Sequence, residues 1–245
     1  MNFQEKLDAI IKKNNSLVCV GLDQGEFEFN KKIIDQTYDL VCVYKPNTAF
    51  YEARGADGVK DLKKTCDYLT QQYPEIAIII DAKRGDIGNT NEAYAKYVFD
   101  YLGGDAVTIQ PYLGLEANQP FLDRKDKGII ILCKTSNPGS GEFQDGLWEK
   151  VATNVAKNWN KNNNCLLVVG ATFPEELKKV RKIVGEMTLL VPGIGAQGGD
   201  VEKTVKAGLN LTKAGMIINS SRGIIFSENP RVEAQKLRDE INKYR

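Results

Sequence analysis

The sequence predicts an α/β protein folded as one closed (β/α)8 barrel, a TIM barrel, with residues 1–245 forming a single domain. Eight short apolar runs recur along the chain, at residues 17–23, 40–47, 76–83, 106–111, 128–136, 166–172, 188–195 and 215–221. They are rich in Val and Ile, and several barely alternate, which is how parallel strands buried on both faces read. A helix-compatible stretch follows each run, and such repeats give parallel sheets with right-handed crossovers. Eight repeats close into a barrel more readily than they lie open as a doubly wound sheet.

Taken in order, residues 1–15 place Phe3, Leu7, Ile10 and Ile11 on one helical face with charges between them. That is an amphipathic helix rather than a signal peptide. Between the apolar runs, helical patterning is clearest at residues 58–73, 91–102, 147–160, 174–184 and 232–244. Pro174 suits a first helical turn, and Gly103 with Gly104 suits a helix end. No linker, low-complexity tract or charge block divides the chain. The repeat is architectural and carries no repeated sequence motif.

Composition narrows the function. With 42% apolar and 27% charged residues the chain can bury a core and stay soluble. A net charge of +1 leaves no broad cationic field for nucleic acid or anionic membrane, so neither is expected as a partner. No stretch approaches the length of a membrane span. The five cysteines form no Cys-x-x-Cys pair, and their odd number and scatter suit reduced core thiols in a cytoplasmic protein. There is no histidine. Its absence removes Ser-His-Asp and Cys-His mechanisms in their usual form and the commonest transition-metal ligand. Acid–base chemistry falls to Asp, Glu, Lys or Tyr.

Polar residues gather where the apolar runs end, which in a barrel is the face that carries the active site. The third run ends in Asp81-Ala82-Lys83-Arg84-Gly85-Asp86-Ile87-Gly88-Asn89-Thr90. Carboxylates and ammoniums are costly to bury unless paired or used. Asp81 and Lys83, two apart, share one face of a strand, and Asp86 and Thr90, four apart, share one face of a following helix. The other runs end at Asp23, at Lys45-Pro46-Asn47, at Lys134-Thr135-Ser136, in the glycine-rich stretch from Gly193 to Gly199, and at Ser221-Arg222-Gly223. Singly, each has a structural reading: Asp23 as a turn cap, Lys45 snorkelling outward, Thr135 and Ser136 closing a loop, Arg222 in a surface ion pair. Surface accidents should not fall repeatedly at one end of one barrel. The loops after strands seven and eight are the usual phosphate site of this architecture. There the backbone amides of residues 195–199, Gln197 and Arg222 are candidate anion ligands.

These segments together resemble the orotidine 5′-monophosphate decarboxylase family. The pattern Asp-x-Lys-x-x-Asp-Ile-x-x-Thr is met at Asp81, Lys83, Asp86, Ile87 and Thr90. Gly-Leu-Asp at 21–23, Lys-Pro-Asn at 45–47, Thr-Ser-Asn-Pro-Gly at 135–139, Gly-Ala-Gln-Gly-Gly at 195–199 and Ser-Ser-Arg-Gly at 220–223 agree as well. The resemblance implies decarboxylation of a pyrimidine nucleotide, orotidine 5′-monophosphate to uridine 5′-monophosphate, with no metal or organic cofactor. Lys83 would stabilise and protonate the C6 carbanion, with Asp81, Asp86 and Lys45 completing a charge network around it. Asp23 would hold the ribose hydroxyls, Ser136 the pyrimidine edge, and Gln197 and Arg222 the 5′-phosphate, with Asn47 among the substrate-binding residues. It also implies a homodimer in which Asp86 and Thr90 complete the partner subunit's site. A single-activity chain without a fused phosphoribosyltransferase domain is expected, and residues 137–146 are a candidate lid from their composition. No tyrosine gripping the phosphate is assigned.

Three other readings stay open on the sequence. A magnesium-dependent sugar-phosphate decarboxylase or epimerase of the same superfamily shares the Asp81–Lys83–Asp86 core. A catalytically silent barrel could bind the nucleotide only. A Schiff-base aldolase using Lys83 is disfavoured, because neighbouring acids raise a lysine's pKa where an amine nucleophile needs it lowered.

Overall fold

The structure is a computed structural model that describes residues 1–195 and 198–245. Eight parallel strands follow one another around a closed barrel, each hydrogen-bonded to its neighbours in sequence and the eighth to the first. After helix α1 (Phe3–Asn14) come β1 (Val18–Gly21), α2 (Phe27–Thr37), β2 (Val43–Lys45), α3 (Thr48–Glu52) and α4 (Gly55–Gln72). Next are β3 (Ala77–Arg84), α5 (Gly88–Ala95), β4 (Ala106–Ile109), α6 (Gly114–Leu122), β5 (Gly128–Lys134), α7 (Gly141–Gln144) and α8 (Trp148–Asn154). The chain finishes with β6 (Cys165–Val169), α9 (Pro174–Val184), β7 (Leu189–Pro192), α10 (Val201–Gly208), β8 (Met216–Ser220), α11 (Arg222–Ile225) and α12 (Pro230–Asn242).

All eight apolar runs form strands, and most are shorter than the run. The polar residues at their ends leave the ladder to build loops, so the run at 40–47 keeps only the three residues of β2. The pairing Cys19↔Val43 on one side and Cys19↔Asn219 on the other closes the sheet through β1. Two of the expected helices change pitch partway. After α5 and after α8 the backbone widens into π turns, at Lys96–Tyr101 and Val155–Trp159. Helix α6 carries Pro120 in its interior and opens at Gly114, both of which weaken a helical pattern in sequence. Among the described residues no helix is long and apolar enough to cross a membrane.

Helix α1 closes the N-terminal end of the barrel. Its first turn is fixed by a capping box in which Asn2 accepts from the Glu5 amide at 2.9 Å and Glu5 accepts from the Asn2 amide at 2.8 Å. The amide of Phe3 donates to the Asp126 carbonyl at 2.9 Å, just before β5. Its ring lies so close to Gly128 that a β-carbon there would sit 2.6 Å from it, which is why a glycine starts β5. Lys6 pairs with Asp105 ahead of β4, and Thr188 ahead of β7 donates to Gln4. The buried face of Phe3, Leu7, Ile10 and Ile11 thus plugs the end opposite the polar loops.

Truncating the plug tests its weight. Phe3→Ala is expected to lower unfolding free energy by about 3–5 kcal/mol through cavity formation, and Asn2→Ala by about 1 kcal/mol through the lost cap. Urea midpoints that shift by these amounts with an unchanged slope are the check.

Candidate active site

The C-terminal barrel end holds a chain of charges on β2 and β3, closed by a hydroxyl from β4. Lys45 ends β2 with only 4% of its surface exposed. Its Nζ lies 2.7 Å from Oδ2 of Asp81 on β3. The other oxygen of Asp81, Oδ1, accepts from Lys83 Nζ at 2.7 Å and from Thr108 Oγ1 on β4 at 2.9 Å. One buried carboxylate therefore stands between two ammoniums, with Asp23 a second acid near Lys45.

The titration of the pair follows from this arrangement. Burial by itself raises the Asp81 pKa, but attraction to Lys45 and then Lys83 outweighs it and holds the carboxyl well below the ordinary carboxylate range. Burial by itself lowers the Lys45 pKa, and the pull of Asp81 and Asp23 reverses that, so the net shift is upward. Lys45 does not snorkel. Cys19, beneath this cluster, is pushed up to about 12 by burial, with Lys45 opposing and Asp23 and Asp81 adding to the rise. Cys66, Cys133 and Cys165 are likewise raised to about 12 by burial, and all five cysteines are free and buried, so none is poised as a thiolate.

Lys83 reaches Asp81 by a route that strand alternation does not supply. Its φ is +46°, a left-handed conformation that costs a non-glycine residue about 1 kcal/mol or more. The register between β3 and β4 shifts between Ile80 and Arg84. At the break, the Lys83 amide donates to Thr108 Oγ1 at 2.9 Å. Thr108 accordingly holds the backbone of Lys83 and the carboxylate of Asp81 with one hydroxyl. Sequence reasoning missed it; its signal is a lone polar residue within the buried run Ala106-Val107-Thr108-Ile109. The Lys83 side chain is 46% exposed, the reachable member of the array.

Among the described residues neither Asp86 nor Thr90 forms a hydrogen bond or ion pair with Lys83, whose ammonium goes to Asp81. Asp86 precedes α5 rather than lying on it, correcting the expected shared helical face, because Gly88 opens the helix two residues later. Its side chain accepts from the Ile87 amide at 2.7 Å, while Asn91 holds its backbone. Thr90 is partly buried in the first turn of α5.

The remaining predicted residues ring the same end. Asp23 follows β1, and its Oδ1 is buried without a hydrogen-bond partner. It caps no helix. Asn47 accepts from the Ala49 amide at 3.1 Å as the N-cap of α3, and it bridges to Asp81 through the backbone. Ser136 lies just past β5, pressed so close to Gly170 that a β-carbon there would sit 2.7 Å from the Ser136 Cα. Arg222 begins α11, exposed and with no side-chain hydrogen bond or ion pair among the described residues. Beside it, Ser221 donates to the Gly21 carbonyl at 3.1 Å and ties the β8 and β1 loops together.

The glycine-rich loop after β7 is less open to an anion than its sequence suggests. The Gly199 amide donates to Gly193 at 3.0 Å and the Gly198 amide to Gly195 at 2.8 Å, so two of the expected amide ligands serve the loop itself. Asp200 caps α10 by accepting from Lys203 at 2.9 Å. Gln197 lies outside the described residues.

The candidate lid at 137–146 is an ordered 3₁₀ turn followed by α7. It is fastened to β5 at two points. Gln144 accepts from the Thr135 amide and donates to the Thr135 hydroxyl, both at 2.8 Å. Asp145 pairs at 2.7 Å with Lys134, a buried ammonium that also lies 4.5 Å from the centre of the Phe173 ring.

Comparison with known proteins bears on this site. The sequence profile of the family described as "Orotidine 5′-phosphate decarboxylase / HUMPS family" matches residues 16–237. An orotidine 5′-phosphate decarboxylase of Cellvibrio japonicus is 45% identical across 99% of this chain and 98% of its own. One from an Azoarcus species is 46% identical with full coverage of both. Among solved structures, Leishmania donovani OMP decarboxylase superposes with a TM-score of 0.93 at 39% identity, covering 100% of this chain and 98% of that one. The chain also matches Leishmania donovani UMP synthase with a TM-score of 0.96 at 41% identity, across 100% of its own length and 56% of that protein.

The charge chain predicts unequal stability effects. Asp81→Asn should cost about 3–5 kcal/mol by stranding buried Lys45, and Lys83→Ala less than about 1 kcal/mol because its ammonium is half solvated. The Asp81 pKa is depressed in the fold, so the wild-type advantage over Asp81→Asn is present above about pH 4. It should shrink as pH falls below that range. Denaturant titrations at several pH values measure both.

Proposed function

Because the chain belongs to the orotidine 5′-phosphate decarboxylase / HUMPS family, we infer that it converts orotidine 5′-monophosphate into uridine 5′-monophosphate and carbon dioxide, the last step of UMP synthesis. The observation that carries this reading is the Lys45–Asp81–Lys83 array at the barrel mouth. The C6–carboxylate bond of the substrate breaks, carbon dioxide departs, and the electron pair stays on C6 in the plane of the ring. No adjacent π system delocalises it, so the carbanion needs a fixed cation and then a proton. Lys83 supplies both: its ammonium faces the developing charge, transfers a proton to C6, and regains one from solvent. Preorganised donors of this kind contribute about 3 kcal/mol each to transition-state stabilisation. Asp81 aims and keeps the ammonium charged, and its own charge opposes the substrate carboxylate until carbon dioxide has left. Buried Lys45 holds Asp81 ionised.

The roles of the surrounding residues follow their chemistry. The partly buried carboxylate of Asp23 after β1 suits ribose hydroxyl donors. Ser136 would meet the pyrimidine edge, with Asn47 beside the array. Arg222, its guanidinium uncommitted, would grip the 5′-phosphate with Gln197. Phosphate binding far from C6 can then drive closure of the β5 segment over the base. This chemistry needs no metal or organic cofactor, and assay in chelator separates it from a magnesium-dependent sugar-phosphate enzyme sharing the Asp81–Lys83–Asp86 core.

A homodimer with shared sites accounts for Asp86 and Thr90. Neither bonds to Lys83 in its own chain among the described residues, and both follow β3 at its C-terminal end. Phe50 in α3, Ile87 after β3 and Leu113 ahead of α6 are exposed, Ile87 at 61%. Exposed apolar side chains following neighbouring strands suit a partner subunit. Five free, buried thiols suit the cytoplasm.

Lys83→Ala should abolish loss of orotidine 5′-monophosphate absorbance in chelator while leaving uridine 5′-monophosphate binding largely intact; near-normal turnover would refute the role of Lys83. Mixing inactive Asp81→Asn and Asp86→Asn chains should restore part of the activity through hybrid dimers, each with one intact site. No recovery on mixing would place every site within one chain.

A further inference from the structure

Arg84 follows Lys83 directly, but its side chain serves other elements. Among the described residues it pairs with Glu52 at the end of α3 and with no member of the Lys45–Asp81–Lys83 array. Its guanidinium carbon lies 5.0 Å from the centre of the Tyr94 ring on α5, within cation–π range. The Arg84 backbone is held as well. It pairs in register with Ile109 of β4, and its carbonyl accepts from the Gln110 amide at 2.8 Å. At the next residue, Gly85, a β-carbon would sit 2.7 Å from that of Gln110, so the exit of β3 presses on the exit of β4.

Lys83 therefore has an anchor on each side. Ahead of it, its own amide is fixed to Thr108. Behind it, Arg84 ties the chain to α3, β4 and α5. The peptide between the two residues is planar, so these anchors leave Lys83 little freedom other than its left-handed turn. Without them that turn is costly, because a non-glycine residue favours a right-handed or extended backbone. Relaxation would carry the long side chain away from Asp81, its partner among the described residues. Stability alone does not account for the Arg84–Glu52 pair. The Glu52 side chain is 40% exposed, and partly solvated ion pairs add little to stability.

We propose that Arg84 is a positioning residue for Lys83: paired with Glu52 and packed against Tyr94, it holds the left-handed turn that aims the ammonium at the reacting carbon. This role rests on Lys83 as the proton donor of the decarboxylation inferred above. Arg84 exchanges no proton and acts only through the backbone it fixes. A group that transfers a proton must be held within about 0.5 Å of its productive place. Loosening the turn therefore slows the chemical step and leaves nucleotide capture by Asp23, Ser136 and Arg222 intact.

The intact protein is assayed with orotidine 5′-monophosphate in chelator, and each lysine is graded by trace acetylation with acetic anhydride and mass spectrometry. Arg84→Gln should lower kcat about tenfold, with KM changed less than about twofold and a melting temperature near the parent's. Lys83 should acetylate severalfold faster relative to the exposed Lys206 of α10. Glu52→Gln should shift both readouts the same way, and the double variant should be no slower than Arg84→Gln. Arg84→Lys, which keeps the charge, should recover most of the turnover. Should Arg84→Gln unfold, Glu52→Gln carries the test from the solvated side of the pair. Unchanged kcat in the folded variants, a loss confined to KM, or a Lys83 acetylation rate equal to the parent's would each overturn the role of Arg84. No turnover by the parent would instead refute the decarboxylase reading, and acetylation of Lys83 would then decide the positioning role by itself.

Discussion

The structure depends on one carboxylate held between two ammoniums where β3 leaves the barrel. Burying Asp81 is unfavourable on its own, and so is burying Lys45. Each is tolerable because the other lies 2.7 Å away. That mutual requirement fixes β2 against β3 at the mouth of the barrel. It leaves the second oxygen of Asp81 to orient Lys83, which is the member of the array that substrate can reach. Thr108 closes the arrangement from β4 and supports Lys83 in a left-handed backbone conformation.

The two ends of the barrel divide the work. At the N-terminal end α1 spans the strand starts with an apolar face, a capping box and peripheral ion pairs, all of which serve stability. At the C-terminal end the strands shorten and polar residues turn into loops. Small residues there permit close approach: Gly170 lets the β6 loop touch Ser136, and Gly21 leaves room for Ser221. The β5 segment is a further polar device, because among the described residues buried Lys134 pairs only with Asp145 of the candidate lid. Any displacement of that segment must find another partner for the ammonium or expose it to water.

Much of the fold was legible because burial on both faces leaves an apolar run that needs no partner to be recognised. All eight runs became strands, and residues 174–184 became α9 without change of boundary. The site was legible as clusters: Asp81 with Lys83, Lys45 with Asn47, Ser136, and Arg222 all lie at one end. Less could be read where a residue acts through a neighbour distant in sequence. Thr108 looked like one polar residue in a strand, and Lys134 like the end of another. The π turns after α5 and α8 and the internal bonding of the loop after β7 left no periodic mark.

The sequence by itself determined the repeat of strand and helix, the polar strand ends and the chemical types available there, because each is written in residues close together along the chain. Only the tertiary structure decided that Lys45 pairs with Asp81, that Thr108 serves both Asp81 and Lys83, and that the Asp86 carboxylate bonds to the Ile87 amide. The reason is geometric. A charge separated from its partner by 36 residues meets it only when neighbouring strands register side by side, and closure of the barrel sets that register.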